Sequence, residues 1–315
     1  VPSVVDPDSR LEALINKGDR QLRAVFLAII ASMRNQLDMK ELEGMLAANR
    51  WNEALDTIID EVDRLGAVAA AIFIGAGTDT EAFLRTAGVF GISFDSVNER
   101  AIRSMKLHRL SLIQNFAAAQ REATRTALLD GLRRGLNPTT TARVFRDSIG
   151  LTPKQQAAVA NYRRLLEEGN REALNRALRD RRFDASVRAS VEGRRQLTQS
   201  QIDKMVSRYA VRYVDYRSRV ISRTQSLRAV HEGNRELYRQ ALEQGKVKTV
   251  TRMWHAQTGD GRTRLTHEDI NEVEVKFDEP WVTIAGNRLM YPGDPAAPAE
   301  EIIQCRCSTS SKVTF

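Results

Sequence analysis

Residues 199–245, QSQIDKMVSRYAVRYVDYRSRVISRTQSLRAVHEGNRELYRQALEQG, decide the fold class. Ile202, Met205, Val206, Tyr209, Tyr213, Val220, Ile221, Leu227, Val230, Leu237 and Leu242 recur at helical spacing, and Gly245 supplies a C-terminal stop. The stretch reads as one helix from Gln199 to about Glu243. After Gly245 the pattern changes. Val247, Val250, Met253 and Trp254 suggest a strand. Val273, Val275 and Phe277 alternate with Glu274, Lys276 and Asp278 as a half-buried strand should. Residues 281–284 read as a further strand, and Ala285, Gly286 and Asn287 as a tight turn.

Upstream, the helical grammar persists. Leu11, Leu14, Ile15, Leu22, Val25, Phe26, Ile29, Ile30 and Met33 form an amphipathic stripe over residues 9–33. A second stripe runs Leu42, Met45, Leu46, Leu55, Ile58, Ile59, Val62 and Leu65. Gly75 and Gly77 are expected to break that helix, with Thr78 and Thr80 capping a short third. A turn-rich passage from Gly88 to Asp95 leads into a helix expected from Ser96, with Glu99 at capping-box spacing, to about Arg134. Asn137-Pro138 and Thr152-Pro153 are two helix-start signals. The first helix should stop near Gly150. The second should run to Gly169 and resume through Leu174 and Leu178. The fold class is therefore mainly α with a small α+β C-terminal module: long amphipathic helices followed by a short strand-rich domain. Three regions are expected: an N-terminal helical region (1–135), a basic helical core (136–246) and a small strand-rich module containing Cys305-Arg306-Cys307 (247–315).

Of the 315 residues, 42% are apolar, enough for a globular core and too many for a disordered chain. The net charge of +8 is unevenly spread. Residues 1–100 carry net −6 and residues 253–315 net −4, whereas residues 101–252 hold 32 Lys and Arg against 14 Asp and Glu, a net +18. Such segregation points to a polyanionic partner, double-stranded DNA first, or to an acidic protein surface; solvated arginine-rich helix faces give the same count. Arg163, Arg164, Arg179, Arg181, Arg182, Arg194 and Arg195 are the candidates for that contact. The two cysteines, one residue apart, do not suit a disulfide scaffold, which points to synthesis in a reducing cytoplasm. The apolar run from Leu65 to Gly77 is too short to span a bilayer, so no stable membrane insertion is expected.

The last sixty residues concentrate the rare side chains. His255, His267, Cys305 and Cys307 offer the two nitrogens and two sulfurs of a tetrahedral structural zinc site, provided that a bent loop lets both cysteines reach one ion. Otherwise the cysteines are small buried hydrophobes and the histidines cap or pair with carboxylates. Arg262 and Arg264 are expected to pair with Glu268, Asp269, Glu272 and Glu274, with phosphate binding as the alternative. Residues 291–294, Tyr-Pro-Gly-Asp, read as a rigid turn whose aspartate bonds nearby amides.

Residues 150–163 (GLTPKQQAAVANYR), 178–184 (LRDRRFD), 201–206 (QIDKMV), 221–224 (ISRT) and the array from Trp254 to Cys307 occur in an order that resembles the phage minor head, or head morphogenesis, family typified by the F protein of phage Mu. The resemblance covers roughly residues 138–310. It implies a structural protein of a tailed bacteriophage, made in the host cytoplasm and placed inside the head or at the portal vertex. Its implied partners are the portal protein or the major capsid protein, and its implied roles are head assembly and DNA packaging or ejection. A DNA-binding packaging or ejection factor is the alternative. The family's C-terminal module has also been linked with ADP-ribosyltransferase-like toxins, for which Arg223-Thr224 and Glu300-Glu301 are the residues to consider. No nucleophile–base order or Gly-rich phosphate loop accompanies them, and a non-enzymatic protein with no cofactor beyond zinc is expected.

Overall fold

The computed structural model describes residues 3–48, 50, 53 and 63–315. Eight helices of a full two turns or more carry the described chain: α1 (Asp8–Gln36), α2 (Met39–Ala47), α3 (Asp63–Thr86), α4 (Glu99–Arg133), α5 (Pro138–Ser148), α6 (Pro153–Glu167), α7 (Asp184–Val191) and α8 (Gln199–Glu243). The strands are short: β1 (Ser3–Asp6), β2 (Thr249–His255), β3 (Glu274–Lys276), β4 (Trp281–Val282), β5 (Arg288–Leu289) and β6 (Ser308–Thr314). Single helical turns, α9 (Leu265–Glu268) and α10 (Ala299–Ile302), interrupt the strand-rich end. The fold is thus mainly α with a small antiparallel module near the C-terminus.

The helix starts follow the local chemistry. Asn137 Oδ1 accepts from Thr140 N at 2.8 Å ahead of α5, and Thr152 forms a reciprocal capping box with Gln155 ahead of α6. Asn98, not Ser96, sits at the start of α4, its side chain accepting from Arg100 N at 3.0 Å, while Asp95 uses its own carboxylate on Val97 N. Beyond Gly169 the helix expected to resume through Leu174 and Leu178 is replaced by two 3₁₀ turns, Arg171–Asn175 and Arg181–Phe183, before α7.

Gly75 and Gly77 do not break a helix; α3 runs through both. The Thr78 and Thr80 hydroxyls bond back to Ile74 O and Ala76 O, so they are satisfied inside the helix rather than as caps. Gly77 is needed for contact: a Cβ there would lie 2.6 Å from the Phe94 ring. A tighter approach occurs at Gly233, where a Cβ would lie 2.2 Å from Phe73 O, so α3 and α8 cross backbone to backbone. Residues 64–86 of α3 are also long and apolar enough, by length and composition, to cross a membrane, which the shorter run read from the sequence was not. Leu55, Ile58, Ile59 and Val62 of the second stripe lie outside the described residues.

Two compact units are assembled from separated segments: 1–25, 63–112 and 219–315 form the first, and 26–62 and 113–218 the second. These do not follow the consecutive blocks 1–135, 136–246 and 247–315. In the first unit a four-stranded antiparallel sheet has the order β1-β6-β2-β3, and β4 pairs with β5. Residues 3–6 therefore belong to the strand module, with Ser3 opposite Thr314 and Asp6 opposite Ser311. Asp6 fixes this strand: it accepts from Tyr238 Oη at 2.7 Å, Asn234 Nδ2 at 3.0 Å and two Arg10 nitrogens at 2.7 Å. Leu84, Ile92, Leu237, Tyr238, Val250, Phe277 and Val313 pack together beside it. The second unit buries Phe26 edge-on to Phe116, with ring centroids 5.7 Å apart. Buried Arg217 lies over Phe116 and donates to Gly150 O at 3.0 Å. Burial alone pushes that guanidinium down to about 10.

Candidate metal centre

The first unit holds all four histidines and both cysteines, and three of these six side chains meet. His267, Cys305 and Cys307 are all buried, with their ligand atoms within 4.8 Å of one another. His267 stands on the one-turn helix α9. The cysteines lead into β6, and Gln304 before them adopts a left-handed φ of 55°, with its N–H donating to Thr224 Oγ1 at 3.1 Å. That kink is the bent loop a one-residue cysteine spacing requires. It turns both sulfurs inward and sends Arg306 outward, where the guanidinium grips Asp260 at 2.5 and 2.8 Å. The pairing holds the Asp260 carboxyl down at about 2.

His267 Nδ1 lies 3.5 Å from Cys305 Sγ and 3.4 Å from Cys307 Sγ. With Zn–S bonds near 2.3 Å and Zn–N near 2.05 Å, tetrahedral angles put such atoms about 3.6 Å apart. One imidazole lone pair cannot accept from two thiols at once, whereas a single ion among the three atoms satisfies all of them. The group can hold a metal ion.

The surroundings suit thiolate and oriented imidazole. Trp254 Nε1, buried without an oxygen or nitrogen acceptor, lies against Cys307 Sγ. Cys307 N donates to Cys305 Sγ at 3.4 Å. The Cys307 side chain and His267 together hold the Cys305 thiol well below its usual range, against the effect of burial, and Cys307 is correspondingly pushed up by its neighbouring sulfur. On the far side of the ring, His267 Nε2 lies 3.1 Å from Glu301 Oε2. Glu301 also accepts from Thr266 Oγ1 and Asn287 Nδ2, each at 2.8 Å. Burial raises this carboxyl, but the hydrogen bonds from Asn287 and Thr266 outweigh it and hold the group below its ordinary value. Carboxylate beside one imidazole nitrogen and sulfur beside the other is the arrangement from which a metal-binding tautomer is oriented, although His267 Nε2 is not aligned for a hydrogen bond here.

His255 is not part of this cluster. Strand alternation explains why: Trp254 takes the inward position of β2, packing edge-on to His267 with centroids 5.1 Å apart, and His255 falls on the opposite face. Its Nε2 is bonded to Ser310 Oγ at 2.7 Å. The expected partners of Arg262 and Arg264 also differ. Arg264 donates to Ile303 O, and Asp260 is taken by Arg306. The turn at residues 291–294 is as expected, with Asp294 accepting from Met290 N at 2.8 Å and Ala296 N at 2.9 Å.

The candidate DNA contacts lie in the second unit, mostly engaged with carboxylates. Arg163 is buried and bonded to Asp203 at 2.5 Å. Arg164 pairs with Glu168, Arg179 with Asp184, Arg182 with Asp180 and Arg194 with Glu192. Arg181 and Arg195 are exposed and make no ion pair among the described residues. Of the residues considered for group transfer, Arg223 stands on helix α8 rather than a strand, donating to Asn16 Oδ1 and Cys305 O, and Glu301 faces His267. Sequence spacing missed Trp254 and Asn287 as neighbours of the cluster and Glu301 as its carboxylate, because the contact spans 34 residues and three different loops. No protein-family model, curated protein or solved structure matches this chain.

Proposed function

We propose that this chain is a non-enzymatic minor head protein of a tailed bacteriophage, placed inside the head or at the portal vertex, where it contacts the portal or major capsid protein and takes part in head assembly and DNA packaging or ejection. What supports this reading, beside the order of motifs in residues 138–310, is the use to which the motif residues are put. Asp294 closes its turn, Asp180 caps a 3₁₀ turn, Thr152 caps α6, and Cys305, Cys307 and His267 knot the loops ahead of β6. These are the tasks of a scaffold. Glu301, one of the two glutamates a transferase reading would need, is buried, accepts from Thr266 and Asn287 and faces His267. Helix α3 is taken as a helix packed by one face onto the protein: Leu65, Ala69, Phe73, Ala76 and Leu84 are buried, and Arg10 reaches both Asp79 and Thr80 on it.

Within this reading the metal is zinc in a structural role. Two thiolates and one imidazole are a soft ligand set, and a zinc ion there ties three loops of a module whose strands are only two to seven residues long. Elemental analysis of freshly purified protein should find one zinc per chain, removed by the Cys305→Ser/Cys307→Ser pair; a folded, metal-free sample ends the zinc assignment. For the virion reading, antibody against this chain should label the heads of purified phage particles. Particles with full, infectious heads that lack the chain would end it.

A further inference from the structure

A cleft of about 660 Å³ in the first unit lies beside the Cys305-Arg306-Cys307 turn. Six arginines line it: Arg20 and Arg23 from α1, Arg219 and Arg223 from α8, Arg262 from the loop after β2, and Arg306 from between the cysteines. Only two carboxylates share the lining, Glu12 and Asp19, and Asp19 already accepts from Ser222 Oγ. Arg20 and Arg262 are exposed, and their guanidinium groups make no hydrogen bond among the described residues. Arg219 and Arg223 are one helical turn apart, a spacing at which like charges repel. Asp260, just outside the lining, holds Arg306 and offsets part of this charge, and Arg223 bonds Asn16 and Cys305 O; the exposed guanidinium groups of Arg20 and Arg262 leave a positive potential that suits an anion.

The remaining lining residues say which anion. Every one is polar; the cleft has no aromatic or aliphatic side chain. Pockets for drug-like ligands, nucleobases or acyl chains are lined mainly by apolar and aromatic groups. A nucleic acid held through its bases would need a stacking surface. What is left is a ligand read through charged oxygens alone, and the planar guanidinium fork matches phosphate oxygens two at a time. The concave shape favours a compact anion with charge concentrated along a few bonds over a duplex, which spreads its phosphates along a rod.

We propose that this cleft binds a compact oligophosphate anion, with two or more consecutive phosphate groups held by arginines from four separate segments. The Cys-Arg-Cys turn takes part by position: burying Cys305 and Cys307 leaves Arg306 on the cleft wall, and Arg223 pins the Cys305 carbonyl from the other side. The proposal is independent of the virion reading and of which metal, if any, the cysteines hold.

The test is calorimetric titration of the full chain with inorganic tripolyphosphate at low salt. Tripolyphosphate should bind at least about tenfold more tightly than orthophosphate, and affinity should fall as salt rises. Arg20→Gln and Arg262→Gln should each weaken binding about tenfold, and together about a hundredfold, with unchanged circular dichroism. Arg20→Lys/Arg262→Lys, which keeps the charge and loses the forks, should retain part of the affinity. Tripolyphosphate binding that the double Gln variant leaves intact would overturn the proposal. So would binding of a short DNA duplex in a sample that takes up no tripolyphosphate. Loss of zinc in Cys305→Ser/Cys307→Ser with tripolyphosphate still bound would leave the cleft standing and separate it from the metal.

Discussion

Both units pair arginine with carboxylates, as Arg10 with Asp6 and Arg306 with Asp260 do in the first, but the first also gathers six arginines around one cleft. In the second, Arg163, Arg164, Arg179, Arg182 and Arg194 each face a carboxylate, so the segment with the largest net charge presents much of it already neutralised. In the first, six arginines share a cleft whose lining has two carboxylates, with Asp260 holding Arg306 from outside it, although the terminal block that supplies part of the cleft is net acidic. Charge summed along a sequence is therefore a poor guide to where a potential stands in space. The units also differ in titratable chemistry: every histidine and cysteine belongs to the first. Metal removal and mild acid should therefore act there, and charge substitutions in the second unit should be felt only through stability.

The largest effect expected is loss of the metal. Cys305→Ser/Cys307→Ser, or chelation of the wild type, should cost about 5 kcal/mol or more of stability in the first unit. Hydrogen exchange read by mass spectrometry should show β2 and β6 losing protection while α5 and α6 keep theirs. Equal loss in both units would erase the comparison.

Mild acid comes next. Burial, with Arg228 nearby, pushes His108 down to about 4, and burial with Arg223 and Arg252 pushes His231 down to about 3. Unfolded imidazoles take up protons near pH 6.5, so below that value the unfolded chain binds more protons than the folded one. Stability is then full above about pH 6.5 and falls as pH is lowered. The loss should reach about 2 kcal/mol per histidine by pH 5, above the range where ordinary carboxylates protonate. Denaturant midpoints at pH 7 and pH 5 should show this fall, and His108→Gln should remove about half of it.

Two smaller effects sharpen the contrast. Asp203→Asn leaves buried Arg163 without its nearest carboxylate and should cost the second unit roughly 2 kcal/mol, with little change between pH 7 and pH 5. Glu301→Gln should fold normally but weaken zinc affinity about tenfold, as loss of an outer-shell carboxylate does, measured by competition with a zinc-binding dye. Unchanged affinity would mean that Glu301 serves packing alone.

How much of this was legible follows from how local each signal is. The long helix α8, the Asn137 and Thr152 caps and the turn at residues 291–294 rest on contacts within five residues, and the sequence declared them. Gly75 and Gly77 misled because a glycine's reason can lie elsewhere: Phe94 decides Gly77. Strand β1 could not be found by pattern, since four residues carry no period and its place depends on Asp6 meeting Tyr238 across 232 residues. Of the site, both cysteines and His267 were legible as rare residues in one module. Strand alternation at Trp254 removes His255, and no spacing rule could announce Glu301 or the cleft.

The smallest effect bears on the comparison most directly. Arg164 and its partner Glu168 are both about half exposed, and such a pair contributes little in water because two mobile side chains must be held against solvent and salt. Arg164→Gln with Arg195→Gln should therefore change stability by no more than about 0.5 kcal/mol. The same double variant removes two of the formal charges of the basic middle segment while leaving the arginine cleft intact. If potential is made by convergence and not by count, it should titrate with tripolyphosphate as the wild type does, where Arg20→Gln with Arg262→Gln, an equal change in net charge, does not. A tenfold loss in the Arg164/Arg195 variant would return the working surface to the second unit and make segment charge the better guide.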